Sequence, residues 1–415
     1  MLATFPALQS KEFRKLFYSY VMSSAAQWAL LLGRGWLIFE LTGSTSAVGL
    51  VTFGGMAPLL FFGPIFGPLA DSLDRRKMAI IAASAGVLTS TILSILTLSG
   101  AVVMWHVVVI AILQGTAMAA ITPPSEAMIP SLVPKIHLLS AVAIRGTARH
   151  GSKVLGPFIG GVIMSAFENG IGWVFVVGAL FFLFAGIQLY RINYQQTPKE
   201  TENNTLNINF ITPMLEAASY SYQDKRLFLV LSLLGMHCGF TMAFDSLLPG
   251  IADSVGAGKE TYSAITVAVG AGALITTLYV SSVSEEAKRG PIFFVTAIGS
   301  GIGILIIGLA TSPLMAIIGG FVAGAMQAPY MSVSSTLIQQ VVPDELRGRV
   351  MAFYIMIAAG FMAFMNLGFG LLADITGERI LCIIPGGIWL AYFMLASLTS
   401  FKLRYLMQKG NFLRT

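Results

Sequence analysis

The chain has 415 residues, of which 56% are hydrophobic and 11% charged, and its formal net charge is +6. A soluble globular chain carries about 25% charged residues, so this composition excludes an ordinary soluble domain and indicates a polytopic membrane protein. The bases lie at the edges of apolar segments, and we therefore expect no nucleic-acid partner. Cys238 and Cys382 stand inside apolar runs and predict neither a disulfide nor a metal site.

Twelve segments meet the requirement of about 20 mostly apolar residues for a membrane-spanning helix. They lie near residues 16–41, 47–69, 77–99, 102–122, 139–166, 171–191, 227–249, 262–284, 290–311, 313–338, 348–373 and 380–402. Transmembrane strands are shorter and alternate polar with apolar residues, which these segments do not. The sequence therefore predicts an all-α membrane protein with twelve transmembrane helices.

The distribution of Lys and Arg predicts the orientation. All of the 25 bases except Arg34, Lys259 and Arg379 fall in alternate connections or in the helix ends next to them, beginning with the N-terminal segment. Cytoplasmic loops are enriched in Lys and Arg, so both termini are predicted to be cytoplasmic. No cleavable signal peptide is predicted, because charged residues lead directly into the first long apolar segment.

The chain divides into two related halves. Residues 193–224 form the least apolar stretch and predict a cytoplasmic linker between an N-terminal half, 1–192, and a C-terminal half, 225–415. Gly115–Pro134 and Gly324–Pro343 lie about half the chain apart, and each carries an apolar helix into a proline-marked loop with bases. Internal duplication is the plan of many secondary transporters, so we expect two pseudo-symmetric six-helix halves.

The connection between the second and third segments carries the most specific motif. It reads Gly67-Pro-Leu-Ala-Asp71-Ser-Leu-Asp74-Arg75-Arg76-Lys77. It resembles the helix 2–3 loop of major facilitator superfamily (MFS) transporters, whose pattern is roughly G-x-x-x-D-R-x-G-R-R. Ser72 replaces the first arginine of that pattern, and Asp74 replaces its second glycine. The resemblance implies the MFS fold and a conformational role for this loop.

Two interpretations of the loop follow from its chemistry. Asp71 can accept N–H groups at the start of a neighbouring helix, where the dipole favours negative charge. Arg75 and Arg76 can bridge to acids across the interface between the halves, so that the loop acts as a latch. The alternative is that the bases only fix the topology.

The fifth segment carries Gly156-Pro157-Phe-Ile-Gly160-Gly161, which resembles the G-P-x-x-G-G element of proton-driven exporters. This element predicts either a close contact between the halves or simple tight helix packing. The whole chain resembles the MFS efflux branch that includes macrolide and enterobactin exporters, and a lysophospholipid transporter lies close to that branch. Gln114-Gly115 resembles the tail of a helix 4 motif in which Ala111 stands at the position of an arginine.

Two ionisable residues stand out within the predicted helices, where a charge at the bilayer centre costs roughly 2.5–3.5 kcal/mol. Arg34 lies in the first segment and Asp245 in the seventh, both in the part predicted to be outer. The resemblance makes these two helices repeat equivalents that line the cavity. We expect Arg34 and Asp245 to pair when the protein faces inward; the alternative is that each extends to interfacial water.

Other polar and aromatic residues are candidates for the same pathway. His237 lies four residues before Thr241 and eight before Asp245, so the three share one face of a regular helix and could carry protons. A lone helical histidine can equally be a hydrogen-bonded packing residue. The remaining candidates for an aromatic-lined polar pocket are Gln27, Trp28, Gln114, Phe240 and Gln327. The glutamines could instead join helices by hydrogen bonds.

The sequence thus predicts a secondary transporter that exports a bulky organic compound, such as a drug or siderophore, by proton antiport. A lysophospholipid transporter or an uptake symporter is the alternative, and a non-transporting membrane sensor or scaffold is an alternative of another class. Enzyme motifs such as G-x-S-x-G and H-E-x-x-H are absent from the sequence, so we predict neither an enzyme nor a cofactor. The resemblance further implies a functional monomer in a bacterial inner membrane.

Overall fold

A computed structural model of the chain describes residues 6–194, 211–281 and 288–411, without the side chains of Pro68, Asp71, Leu139, Ile211, Pro213 and Ser281. The described residues are almost entirely helical and contain no strand. The helices are α1 (Lys11–Thr42), α2 (Thr45–Ser72), α3 (Arg75–Leu98), α4 (Met104–Leu132), α5 (Leu138–Ala166), α6 (Gly170–Tyr190), α7 (Ile211–Gln223), α8 (Lys225–His237), α9 (Leu248–Val255), α10 (Gly258–Ser281), α11 (Arg289–Gly308), α12 (Pro313–Val341), α13 (Asp344–Thr376), α14 (Ile380–Thr399) and α15 (Phe401–Lys409). The all-α prediction is confirmed for this part of the chain.

Within the described ranges, nine helices are long and apolar enough to cross a membrane: α2, α3, α4, α6 and α10 to α14. The other three predicted spans correspond to α1, α5 and the broken segment from α8 to α9. Charged residues make α1 and α5 more polar, including Arg145, Arg149 and Lys153 along α5. Twelve spans therefore remain a prediction.

The predicted continuous helix over residues 227–249 is wrong. Helix α8 ends at His237, a π-helix follows over Cys238–Met242, and α9 begins only at Leu248. Hydropathy did not reveal the interruption because the residues within it are as apolar as their neighbours.

Local signals explain where several helices begin and end. Asp74 caps α3 by accepting a hydrogen bond from Lys77 N at 3.0 Å. Ser312 and Ser400 cap α12 and α15 in the same way. Gly377 ends α13 with φ of +84°, a left-handed conformation that glycine adopts without strain.

Asp224 caps α8 and forms an ion pair with Arg226 at 2.7 Å. Burial alone would raise the pKa of the Asp224 carboxyl, but hydrogen bonds from Arg226 and its positive charge hold that pKa below the ordinary value. Half of the predicted linker, residues 195–210, lies outside the described residues, and its later part forms α7.

The chain forms two compact units. The N-terminal unit comprises Met1–Arg34 and Gly54–Phe210, and the C-terminal unit comprises Gly35–Phe53 and Ile211–Thr415. The C-terminal end of α1 and the first part of α2 therefore belong to the unit that contains the later helices. We call Gly35–Phe53 the hairpin tip.

Each unit has its own buried core. In the N-terminal unit, α3 packs on α4 and α6, and one core cluster includes Phe13, Met128 and Leu189. In the C-terminal unit, α12 packs on α10 and α11, and aromatic side chains such as Phe293 and Trp389 fill the core.

Candidate functional site

Three predicted site residues meet in one pocket of the N-terminal unit. Gln27 and Arg34 of α1 and Gln114 of α4 line a space of about 20 Å³. Since one water needs roughly 10–15 Å³ of such space, the pocket has room for one or two water molecules. Arg34 is only 7% exposed, and its Nε donates to Leu30 O at 3.3 Å. Gln114 Nε2 donates to Ser90 Oγ at 3.3 Å.

Glycines of α2 and α4 make room for this pocket. A Cβ added at Gly55 would lie 3.6 Å from Arg34 Nη2, so the guanidinium lies over a bare stretch of α2. Gly115 faces the carbonyl oxygen of Gly55, and a Cβ there would lie 3.0 Å from Pro58 Cγ. Sequence reasoning missed Gly55 because a glycine shows no partner until the fold brings one to it.

The Gly-Pro element of α5 packs against α1 within the N-terminal unit. A Cβ at Gly156 would meet the carbonyl oxygen of Ala25 and would lie 2.9 Å from Ala29 N. Lys153 Nζ lies 4.7 Å from the centroid of the Trp28 ring, a cation–π contact between the same helices. Pro157, Gly160 and Gly161 are also buried. These contacts are the tight helix packing offered as one alternative; a contact between the halves stays a prediction.

The bases of the α2–α3 loop contact backbone carbonyls. Arg75 Nη1 donates to Ala127 O of α4 at 3.0 Å. Arg76 Nε donates to Leu189 O of α6 at 3.2 Å, and its Nη2 donates to Tyr190 O. Leu189 and Tyr190 are at the C-terminus of α6, where carbonyls lack helical partners and attract cations. Bridging from Arg75 and Arg76 to acids across the interface between the halves stays a prediction.

The structure describes the side chain of only one of the two acids in that loop. We expected Asp71 to accept N–H groups at a helix start, and its side chain lies outside the described part of the structure. Asp74 caps a helix, α3, which begins at the end of this loop. The latch function of the loop stays a prediction.

The break between α8 and α9 positions the acid of the C-terminal unit. Asp245 lies half-buried in the turns between Ala243 and Leu247. Gln327 Nε2 of α12 donates to Thr241 O at 2.5 Å, and Asn366 Oδ1 of α13 accepts from Ser246 N at 3.0 Å. Both amides satisfy backbone groups freed by the break. Interrupted helices and π-helices occur frequently at functional sites.

The break also corrects the predicted common face of His237, Thr241 and Asp245. A π-helix turns less per residue than an α-helix, and regular helix ends before Asp245, so spacing by four no longer aligns the three side chains. His237 is fully buried, its Nε2 lies 3.0 Å from Ser300 Oγ, and its ring stacks on Tyr330 at 3.9 Å. This environment matches the packing alternative for His237.

Phe240 lies in the π-helix and packs half-buried against the core of the C-terminal unit. Gln327 is 3% exposed. In the described residues, no group of three or more His, Cys, Asp or Glu side chains is arranged to hold a metal ion.

A family described as transmembrane secretion effector matches residues 2–408. The chain belongs to this family of the major facilitator superfamily. It is 24% identical over 364 residues to the staphyloferrin A transporter of Staphylococcus aureus, covering 87% of this chain and 89% of the relative. It is 26% identical over 341 residues to macrolide efflux protein A of Streptococcus pyogenes, covering 80% and 81%. The predicted membership of the MFS efflux branch is confirmed.

The fold of this transporter agrees with that assignment. It aligns with the crystal structure of a D-xylose-proton symporter over 100% of both chains, with a TM-score of 0.70 and 18% identity. At that identity the likeness shows the fold alone. The transporter therefore has the MFS fold, and its relatives are membrane transporters rather than enzymes.

Proposed function

We propose that this protein is a secondary active transporter that exports a bulky organic compound in exchange for protons by alternating access. The observation that carries the proposal is a buried polar pocket around Arg34 in a chain of an efflux family. An arginine in a membrane protein interior is costly and marks a functional site with a partner. The interrupted helix that holds Asp245 is the second support, because broken helices form binding sites in transporters.

In the proposed exchange, pairing between the charges of Arg34 and Asp245 controls when the outer side opens. When the transporter is empty, ionised Asp245 pairs with Arg34 and keeps the outer side closed. Binding of the organic substrate or protonation of Asp245 weakens the pair and permits reorientation.

The proposed substrate class rests on the candidate pathway residues and on the relatives. The amides of Gln27, Gln114 and Gln327 and the rings of Trp28 and Phe240 would suit a bulky amphipathic compound on that pathway. Relatives named for a macrolide and for staphyloferrin A support compounds of drug or siderophore type. In the proposed setting the protein is a monomer in a bacterial inner membrane, with twelve spans, both termini cytoplasmic and no enzymatic activity or cofactor.

Proton release from everted membrane vesicles tests the proposal. We would follow the quenching of a pH-sensitive dye while adding macrolides, catecholate and carboxylate siderophores, cationic dyes and lysolipids. We expect one class to release protons from energised vesicles that contain the transporter. Asp245→Asn should abolish that release, whereas Asp253→Asn, which changes an exposed acid in α9, should leave it unchanged.

The pairing of Arg34 with Asp245 has its own test. Arg34→Ala and Asp245→Asn should each impair transport, and the exchange Arg34→Asp with Asp245→Arg should recover part of it. An exchange variant that folds but recovers nothing would remove the support for direct pairing. Transport of lysolipid without proton release would replace antiport with lipid movement.

A further inference from the structure

One carboxylate covers the start of α2. Asp374, near the end of α13, accepts from Ser44 Oγ at 2.5 Å and from Thr45 N at 2.8 Å. Its two oxygens also lie 3.4 and 3.3 Å from Ser46 N. The first N–H groups of a helix lack partners within it, and the dipole favours a negative charge there. Asp374 therefore binds the hairpin tip through charge-assisted hydrogen bonds.

The backbones of α2 and α13 approach each other beside this carboxylate. A Cβ at Gly49 would lie 2.9 Å from Gly370 Cα, so two bare helix surfaces touch. Ser46 Oγ donates to Gly370 O at 3.1 Å, and Thr45 Oγ1 donates to Glu378 Oε1 at 2.7 Å. A flat, polar contact of this kind can separate without disentangling large side chains.

The hairpin tip is also held by α10. The Trp36 ring stacks on Tyr262 with centroids 6.1 Å apart, and a Cβ at Gly35 would lie 2.5 Å from the Tyr262 hydroxyl. The tip thus packs between α10 and α13 of the C-terminal unit.

We propose that Asp374 and the hairpin tip form a latch that holds the outer side of the transporter closed. The predicted topology places the tip on the outer side, because it lies opposite the basic cytoplasmic loops. The proposal rests on the alternating-access cycle above but not on the substrate or on proton coupling. In that cycle, Asp374 releases the N-terminus of α2 when the outer side opens.

A path for releasing the latch runs along one face of α13. Asn366, Gly370 and Asp374 are spaced four residues apart and share that face. Asn366 holds the broken segment beside Asp245 through Ser246 N, and Gly370 and Asp374 hold the hairpin tip. A shift of the broken segment therefore displaces the same helix face that carries the latch.

Cysteine labelling tests the latch without any substrate. Ala47 is buried in the hairpin tip, so an Ala47→Cys reporter should react slowly with a membrane-impermeant maleimide added outside intact cells. The two natural cysteines are buried and provide the unlabelled background. Adding Asp374→Asn should raise the labelling rate about tenfold, the scale expected for lost charge-assisted hydrogen bonds. Asp374→Glu should restore much of the protection.

Asp344→Asn, which changes an exposed acid at the opposite end of α13, is the matched control and should leave labelling unchanged. Unchanged labelling in a folded Asp374→Asn protein would overturn the latch, as would an equal increase in the control. If Asp374→Asn does not fold, Thr45→Val removes one hydroxyl of the same contact and should raise labelling by a smaller factor. Because labelling needs no transport, failure of the proposed export function would leave this result interpretable.

Discussion

The same five-residue pattern occurs near the C-terminal ends of two helices, and its glycine lies in two different environments. Gly67-Pro-Leu-Ala-Asp71 ends α2, and Gly370-Leu-Leu-Ala-Asp374 ends α13. At the second site the glycine touches Gly49 and the aspartate covers a helix start. At the first, a Cβ at Gly67 would have no described heavy atom within 4 Å.

At the second site the glycine lets a second backbone approach, and the aspartate, one turn later, binds N–H groups at the start of α2. At the first site the glycine meets no such neighbour. The same residues in sequence therefore do not by themselves decide what the glycine packs against.

Alanine at the two glycines gives the sharpest comparison. Gly370→Ala would place a Cβ 2.7 Å from Gly49 Cα, and we expect it to lower the free energy of unfolding by about 3 kcal/mol, as overpacking does. Gly67→Ala adds a methyl group to open space within a helix and should leave stability unchanged or raise it by about 0.5 kcal/mol. Thermal unfolding of both variants in detergent would measure the contrast. Equal losses of stability at the two sites would contradict the difference in packing around the two glycines.

Asn366 tests whether the face of α13 that contacts the hairpin tip also stabilises the broken helix. Its side chain is fully buried, and Asn366→Ala would leave Ser246 N without its acceptor. We expect a loss of about 2 kcal/mol in the free energy of unfolding, the cost of an unsatisfied buried group. The Ala47→Cys reporter in this background should also label faster.

A matched variant at Ser246 separates these effects. Ser246→Ala removes only the hydroxyl bond to Asn366 O and keeps the N–H bond, so its loss should be smaller. If Asn366→Ala lowers stability without changing the labelling of the reporter, the break and the latch are independent.

Composition and spacing predicted much of this architecture. The predicted span 313–338 lies within α12, Pro313–Val341, and 348–373 lies within α13, Asp344–Thr376. Gln27 and Arg34, seven residues apart on α1, both line one pocket. Hydropathy and helical period are properties of consecutive residues, so the sequence alone predicts where these helices lie.

The remaining features depend on partners that are distant in sequence. The π-helix at Cys238–Met242 is apolar, so only the amides of Gln327 and Asn366 reveal where its freed backbone groups are satisfied. The contact of Asp374 with Thr45 likewise joins residues that are far apart in the chain. A residue pattern shows that such groups exist, and the fold decides which of them meet.

The arginines near Gly67 provide a smaller contrast. Arg76 binds carbonyl groups at the end of α6, whereas the side chain of neighbouring Lys77 is 80% exposed. Arg76→Gln should lower the free energy of unfolding by about 1 kcal/mol through lost hydrogen bonds to a charged donor, and Lys77→Gln should have little effect. Thermal unfolding measures both. Equal losses would indicate that surface charge, rather than the carbonyl contacts, stabilises this loop.

Asp224 gives the smallest expected effect. It tests whether the cap of α8 responds to pH as a charge-assisted cap should. Hydrogen bonds from Arg226 hold the pKa of its carboxyl below the ordinary value, despite partial burial that acts in the opposite direction. The resulting stabilisation is complete above the pKa of the unfolded carboxyl, about 4, and is lost as pH falls through the lower folded value. Asparagine can also cap a helix, so Asp224→Asn should lose only about 0.5 kcal/mol at pH 7, and this difference should shrink in acid. A difference from the unaltered protein that grew on acidification would show that the Arg226 contact does not lower this pKa.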